Sequence, residues 1–354
     1  MTDSSGKIKL LIVDDSRLVR KTIANVFDND DSVEVVGEAT NGKEALTMIP
    51  ALKPDVITLD IEMPEMDGLS ALKHLMIKHP APTLMLSTLT QEGSRSAFDA
   101  LKYGAVDFIH KITIENEAQK HHFYSQVADK VKKAAIMKVD AIRYQRMSKK
   151  NADGQSAVYA LPCKQLVALG ASMGGYGSLL KILPALSPNL KAALLVIVYM
   201  PNSYIGGFVK YLNDNSAIHV KEAKNGMTID NGVCFVASAE NYLTVAEDRG
   251  VLKIHLNPAP FGVEVQCSIN MLFYSISEVM GEESIGIILA GTGKDGIEGV
   301  KEMVRVGGKV IVQDTKTCIE TEMPETVIAE TSINLILPDT AIADAIVETV
   351  GELK

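Results

Sequence analysis

Five short apolar runs, each closed by polar residues and each followed by a stretch of helical periodicity, fill the first third of this 354-residue chain. They read IKLLIVDD, VEVVGEAT, DVITLDIEMP, TLMLSTL and AVDFIHK. Between them lie SRLVRKTIANVFDN, NGKEALTMIP, GLSALKHLMIKH and SRSAFDALKYG, and helix is expected again from about residue 116. Strands separated by helices cannot close as hairpins. They run parallel, with helices covering both faces of the sheet. The expectation is an α/β, doubly wound parallel sheet.

A second α/β set follows residue 160, with strand candidates KQLVALGAS, AALLVIVYM, HVKEA, SIGIILAG, GKVIVQD and NLILP. In its middle, GVCFVAS, YLTVAED and VLKIHLN read as short antiparallel strands, with EDRG as the turn between the last two. The chain length suits two domains. We therefore expect two doubly wound parallel-sheet domains, at 1–125 and 161–354, the second with an antiparallel insertion.

Residues 126–160 are expected to form a helical linker. Asp129–Lys150 holds eight Lys or Arg against two acidic residues, and apolar residues recur at Val127, Val131 and Ala134. A solvated helix accounts for this pattern, and a basic docking surface for an acidic partner is the alternative. The net charge of −9 argues against nucleic-acid binding. No segment approaches 18 consecutive apolar residues, and the first residues lack the apolar region of a signal peptide. Direct membrane insertion is not expected, and the cytoplasm is the default location. Cys163, Cys234, Cys267 and Cys318 are isolated, which fits free buried thiols better than a zinc site.

Acidic residues close the first and third runs: Asp14 and Asp15 in LLIVDDS, Asp60 in ITLDIEMPEMDG. In a doubly wound sheet these strand ends meet where the strand order reverses. Carboxylates converging there repel one another, and a hard divalent cation such as Mg²⁺ relieves the repulsion. Asp60 is then placed to attack a phosphoryl group and form an aspartyl phosphate. Ser87 ends the fourth run with a hydroxyl suited to a phosphoryl oxygen, and Lys111 ends the fifth with positive charge.

With these residues in this order, residues 7–125 resemble a response-regulator receiver domain, which is flavodoxin-like. The resemblance implies Asp60 as phosphoacceptor and Asp14, Asp15, Asp60 and the backbone carbonyl of Glu62 as Mg²⁺ ligands. It also implies Ser87, Phe108 and Lys111 as the switch residues, and a sensor histidine kinase as partner. The family's Lys-Pro is here Lys111-Ile112, which alters the expected loop geometry.

In the second set, LVALGASMGG places Ser172 between a strand and a helix, and SIGIILAGTGKDG places Asp295 in another glycine-rich turn. Each alone reads equally as a helix cap. The stretches GASMGG, VYMP, AGTGKDGIEGVKEM and GGKVIVQDTKTCIETEMPE together resemble the catalytic domain of the chemotaxis protein-glutamate methylesterases, a Rossmann-like fold. That family implies a Ser-His-Asp triad acting on methyl esters of receptor glutamates, often with glutamine deamidation. Methyl-accepting chemoreceptors or other chemotaxis proteins are the implied partners. Ser172 matches the nucleophile and Asp295 the acid.

The family histidine lies in Gln-His-Met-Pro, which here reads Val198-Tyr199-Met200-Pro201. Tyr199 thus stands at the position of the base. A phenol with a pKa of about 10 is about 99.9% protonated at neutral pH, so it cannot take the serine proton as imidazole does. The second half offers only His219 and His255 as replacements. Met173, Thr292, Tyr242 and Cys267-Ser268-Ile269-Asn270 depart from the family in the same region. The expected outcome is a phosphorylated regulator with a vestigial triad that acts by binding. A phosphorylation-activated methylesterase or deamidase is the alternative.

Overall fold

The computed structural model describes residues 6–88, 91–111, 116–137, 139, 163–258 and 268–352. The chain divides into two compact units, Met1–Tyr144 and Gln145–Lys354.

The first unit alternates strand and helix: β1 (Ile8–Val13), α1 (Arg17–Val26), β2 (Val33–Ala39), α2 (Gly42–Leu52), β3 (Val56–Asp60), α3 (Gly68–Lys78), β4 (Thr83–Ser87), α4 (Gln91–Lys102), β5 (Asp107–His110) and α5 (Glu117–Ala135). Its five strands are parallel in the order β2-β1-β3-β4-β5. Every residue of β3 and β4 is buried, as expected of strands covered on both faces. The order reverses between β1 and β3, where Val13 pairs with Leu59. Asp14 and Asp60 therefore emerge side by side.

Helix starts follow from side chains that accept the first free N–H groups. Ser16, Asn41, Asp67 and Asn116 cap α1, α2, α3 and α5 in turn. The helix α5 corrects the expected linker. Phe123, Val127, Val131 and Ala134 form one buried stripe along it, and it packs on α1 and four strands of the first sheet. The expected boundary at 125 falls inside this helix, so residues 126–135 belong to the first unit. Lys130, Lys132 and Lys133 pair with Asp107, Asp30 and Asp129. The Lys132 ammonium holds the Asp30 carboxyl down at about 2. The rest of the basic stretch lies outside the described residues, apart from Val139 and residues 134–137.

The second unit contains β6 (Leu166–Ala171), α6 (Tyr176–Ala185), β7 (Ala193–Val198), α7 (Asn202–Asn215), β8 (His219–Glu222), β9 (Val233–Ser238), β10 (Asn241–Asp248), β11 (Val251–Pro258), α8 (Ser268–Met280), β12 (Ser284–Ile288), α9 (Ile297–Arg305), β13 (Lys309–Gln313), α10 (Glu322–Glu330), β14 (Leu335–Leu337) and α11 (Ile342–Glu352). Seven strands form one parallel sheet in the order β14-β13-β12-β6-β7-β9-β8. Leu195, Ile197, Phe235, Ile269 and Phe273 sit in the core on one side of it.

The strand β9 differs from expectation. GVCFVAS is not part of an antiparallel insertion: β9 is buried along its whole length and pairs parallel with both β7 and β8. Among the described strands β10 and β11 form the antiparallel pair, joined at Asp248 and Val251 by Arg249 and Gly250. Both of those residues have positive φ, 53° and 80°, the geometry that matches hairpin twist.

Candidate functional sites

In the first unit, three carboxylates converge at the strand ends. Asp14 is fully buried, Asp60 nearly so, and Asp15 is exposed. One oxygen from each lies within 4.8 Å of the others. The Lys111 ammonium sits between two of them, 2.8 Å from Asp14 Oδ2 and 2.7 Å from Asp60 Oδ1. The other Asp14 oxygen accepts the Ser16 N–H at 2.9 Å. Burial pushes the Asp60 carboxyl up to about 6, with Lys111 opposing and the Asp14 charge adding to the rise. Burial alone would lower the Lys111 ammonium, but its bonds to Asp14 and Asp60 outweigh that and raise it.

The loop after Asp60 returns tightly to it. Gly68 N–H donates to Ile61 O at 2.9 Å, and a Cβ at Gly68 would collide with the Asp60 carbonyl. Glu62 lies two residues past Asp60 and lines a cavity with Asp15, Met63, Asp67 and Ser96. Ser87 ends β4, buried, and its hydroxyl donates to Thr88 O at 3.1 Å. Phe108 is buried on β5, edge-on to Phe98 with ring centres 6.1 Å apart. Lys130 of α5 bonds both Asp107 Oδ2 (2.6 Å) and Phe108 O (2.7 Å). Ile112, where the family proline is missing, lies outside the described residues.

In the second unit, β6, β7 and β12 deliver their following residues to one edge of the sheet. Ser172 follows β6, Tyr199 follows β7, and Gly291-Thr292 follow β12. The turn after Ser172 packs against the turn after β12: Ser172 N–H donates to Ala290 O at 3.3 Å, and a Cβ at Gly175 would collide with that same carbonyl. Ser172 is 3% exposed, and its hydroxyl lies 3.2 Å from the Thr292 hydroxyl.

Tyr199 donates its phenolic hydrogen to Asp295 Oδ2 at 2.7 Å. Tyr176 fixes the tyrosine's backbone by donating to Tyr199 O at 2.5 Å. Asp295 does more than meet Tyr199. Its Oδ2 accepts Ile269 N–H at 2.7 Å and its Oδ1 accepts Asn270 N–H at 3.0 Å, at the start of α8. Asn270 returns the arrangement, its Oδ1 accepting Gly296 N–H at 3.1 Å and Gly299 N–H at 2.7 Å at the start of α9. The two residues cap each other's helices. Burial raises the Asp295 carboxyl above its ordinary value, against these hydrogen bonds.

The candidate replacement bases are both exposed. His219 opens β8, and in this parallel sheet it lies at the end opposite to the one where β6, β7 and β12 deliver Ser172, Tyr199 and Thr292. His255 is on the hairpin opposite Thr244. Cys267 lies outside the described residues. Ser268 is buried and donates to Ala239 O at 2.6 Å.

Sequence reasoning did not find Arg20, Lys130 or Asn270. Arg20 and Lys130 sit on helices with no motif around them, and Asn270 entered only as a departure from the family. The bonds of Lys130 and Asn270 join segments more than twenty positions apart, and those of Arg20 reach back five and six positions to backbone carbonyls, which no side-chain pattern marks.

Comparison with known proteins places both units. The family description "CheB methylesterase" matches residues 167–346, and "Response regulator receiver domain" matches residues 10–121. A protein-glutamate methylesterase/protein-glutamine glutaminase of Pyrococcus abyssi is 36% identical, over 98% of this chain and 95% of its own. One of that description from Geobacillus kaustophilus is 34% identical, over 98% and 99%. The crystal structure of the Thermotoga maritima CheB methylesterase catalytic domain matches 52% of this chain and 97% of its own, with a TM-score of 0.50 and 29% identity.

Proposed function

Because the chain belongs to the CheB methylesterase family, with receiver and methylesterase domains in one polypeptide, we propose a specific division of labour between them. A sensor histidine kinase phosphorylates Asp60, and the output domain engages chemoreceptors or other chemotaxis proteins in the cytoplasm with ester hydrolysis absent or strongly impaired. No described helix is long and apolar enough to cross a membrane.

In the receiver, the donor set fits a hard divalent cation: three carboxylates gather within 4.8 Å and one ammonium offsets part of their charge. Asp14, Asp15, Asp60 and the Glu62 carbonyl would hold Mg²⁺, which when bound neutralises charge on an incoming phosphoryl group. Asp60 attacks phosphorus. The new oxygen–phosphorus bond forms as the bond to the kinase's histidine nitrogen breaks, the nitrogen keeping the electron pair. The Lys111 ammonium against Asp60 favours the ionised carboxylate, the form a nucleophile needs. Lys111 lies against both Asp14 and Asp60 and can follow the charge onto the phosphoryl group. Ser87 and Phe108 serve as the responding residues.

The observation that carries the reading of the output domain is the bond from Tyr199 to Asp295. The phenol is the donor, so its hydrogen is committed to the carboxylate. Its oxygen holds a proton at neutral pH and is no acceptor for the serine proton. Ser172 meets Thr292, an alcohol that is no base either. Loss of the base from such a triad costs on the order of 10⁴–10⁶ in turnover. The test is methanol release from methylated receptors by the phosphorylated protein. Release at a robust, Ser172-dependent rate sinks the reading.

A second reading, a phosphorylation-activated protein-glutamate methylesterase and glutamine deamidase, draws on the burial of Ser172 and Asp295 at the strand ends. The same assay decides between the two.

A further inference from the structure

We propose that Arg20 is a positioning residue for the divalent-cation site, fixing the backbone from which the Asp14 and Asp15 carboxylates project. The inference rests on the reading of the acidic cluster as a cation site. One guanidinium nitrogen, Nη1, donates to two successive carbonyls, Asp14 O at 2.8 Å and Asp15 O at 3.1 Å. The Nε of the same group donates to Glu38 Oε2 at 3.0 Å, at the end of the neighbouring strand β2. The Arg20 side chain is only 12% exposed.

Two features make this a fitted arrangement. The planar fork of arginine meets the carbonyls and Glu38 at once, which an ammonium cannot do with the same directions. The charge is also balanced locally. A bare guanidinium behind a cation site would repel the cation, but the Glu38 carboxylate is paired with it. The site gains the geometry without the repulsion. Ser16 N–H and Lys111 engage the two Asp14 carboxylate oxygens. Asp14 is thus held at its carbonyl by Arg20 and at its carboxylate by Ser16 and Lys111, while Asp15, whose side chain is exposed, is held at its carbonyl by Arg20.

Groups that orient metal ligands without touching the metal typically contribute about 10–100-fold in affinity. Electrostatics alone predicts the opposite sign, because removing a positive charge should tighten cation binding. Titration of the full chain with Mg²⁺ and with Mn²⁺ by calorimetry separates the two. Arg20→Met, checked for an unchanged melting profile, is expected to bind both cations at least ~10-fold more weakly. Unchanged or tighter binding overturns the proposal. Should Arg20→Met fail to fold, Arg20→Lys keeps the charge but not the fork. It is expected to bind several-fold more weakly, and wild-type affinity in that variant overturns the proposal. A wild-type protein that takes up neither cation overturns the cation reading itself, and Arg20's role with it. That result is distinct from wild-type binding left intact in the variant.

Discussion

Tyr199 and Asp295, ninety-six positions apart, are joined by a 2.7 Å hydrogen bond in which the phenol is the donor and the carboxylate the acceptor. Asp295 therefore has a partner, and the tyrosine's hydrogen is engaged by it. Removing only the hydroxyl, by Tyr199→Phe, leaves a buried carboxylate oxygen short of one donor. The output unit should lose about 1.5–3 kcal/mol, the range for a bond to a charged group. Urea unfolding followed for this unit checks it, and no change in midpoint would show that the bond contributes nothing.

Tyr199→His returns an imidazole to the strand end after β7. Hydrolysis of receptor methyl esters should rise in this variant, by up to about 10⁴–10⁶ if the base is the only defect. Met173 and Thr292 also depart from the family pattern, so a smaller gain is the expected result. Methanol release with and without Ser172→Ala in the same background measures it. A gain independent of Ser172 would show that a different group does the chemistry.

Asp60→Asn should abolish labelling by a small acyl phosphate in the presence of Mg²⁺. The label on the wild type should be acid-stable and base-labile, as an acyl phosphate is. Persistent label on the variant would move the phosphoacceptor elsewhere.

Lys130→Met should destabilise the receiver by about 3–5 kcal/mol, because it leaves the buried Asp107 carboxylate unpaired. Asp107→Asn combined with Lys130→Met should recover much of that loss. A double variant no more stable than the single one would mean that the bond to the Phe108 carbonyl, not the ion pair, is what matters.

Burial raises the Asp295 carboxyl above its ordinary 3.8. The folded state therefore binds this proton more tightly than the unfolded chain does. Its contribution to stability is complete below pH 3.8, and it is lost as pH rises through the elevated value. Wild type minus Asp295→Asn stability should fall with rising pH across that window, and a difference that climbs instead would contradict the shift.

Most of the architecture was legible because the central strands β1, β3, β4, β6, β7 and β12 are short apolar runs, with helical periodicity between them. Two misreadings have physical causes. GVCFVAS lies next to a true hairpin, but its uninterrupted apolar run is what burial on both faces requires, and β9 is parallel. The basic residues after 129 suggest a solvated linker, yet the buried stripe Phe123, Val127, Val131 continues straight through the expected boundary. The strand ends that carry Asp14, Asp60, Ser87, Ser172 and Tyr199 could be located because each closes an apolar run. The direction of the Tyr199 bond and the fork of Arg20 could not, since the first joins residues 96 positions apart and the second is made to backbone carbonyls that leave no trace in the residue pattern.

The mutual capping of α8 and α9 by Asp295 and Asn270 separates what can be dismantled from what cannot. The side chain after β7 meets this carboxylate through one bond, so exchanging it costs Asp295 that bond. An acid that fastens the ends of two helices stays whether or not any substrate is turned over. The presence of Asp295 therefore testifies to the integrity of the frame, and carries no message about turnover.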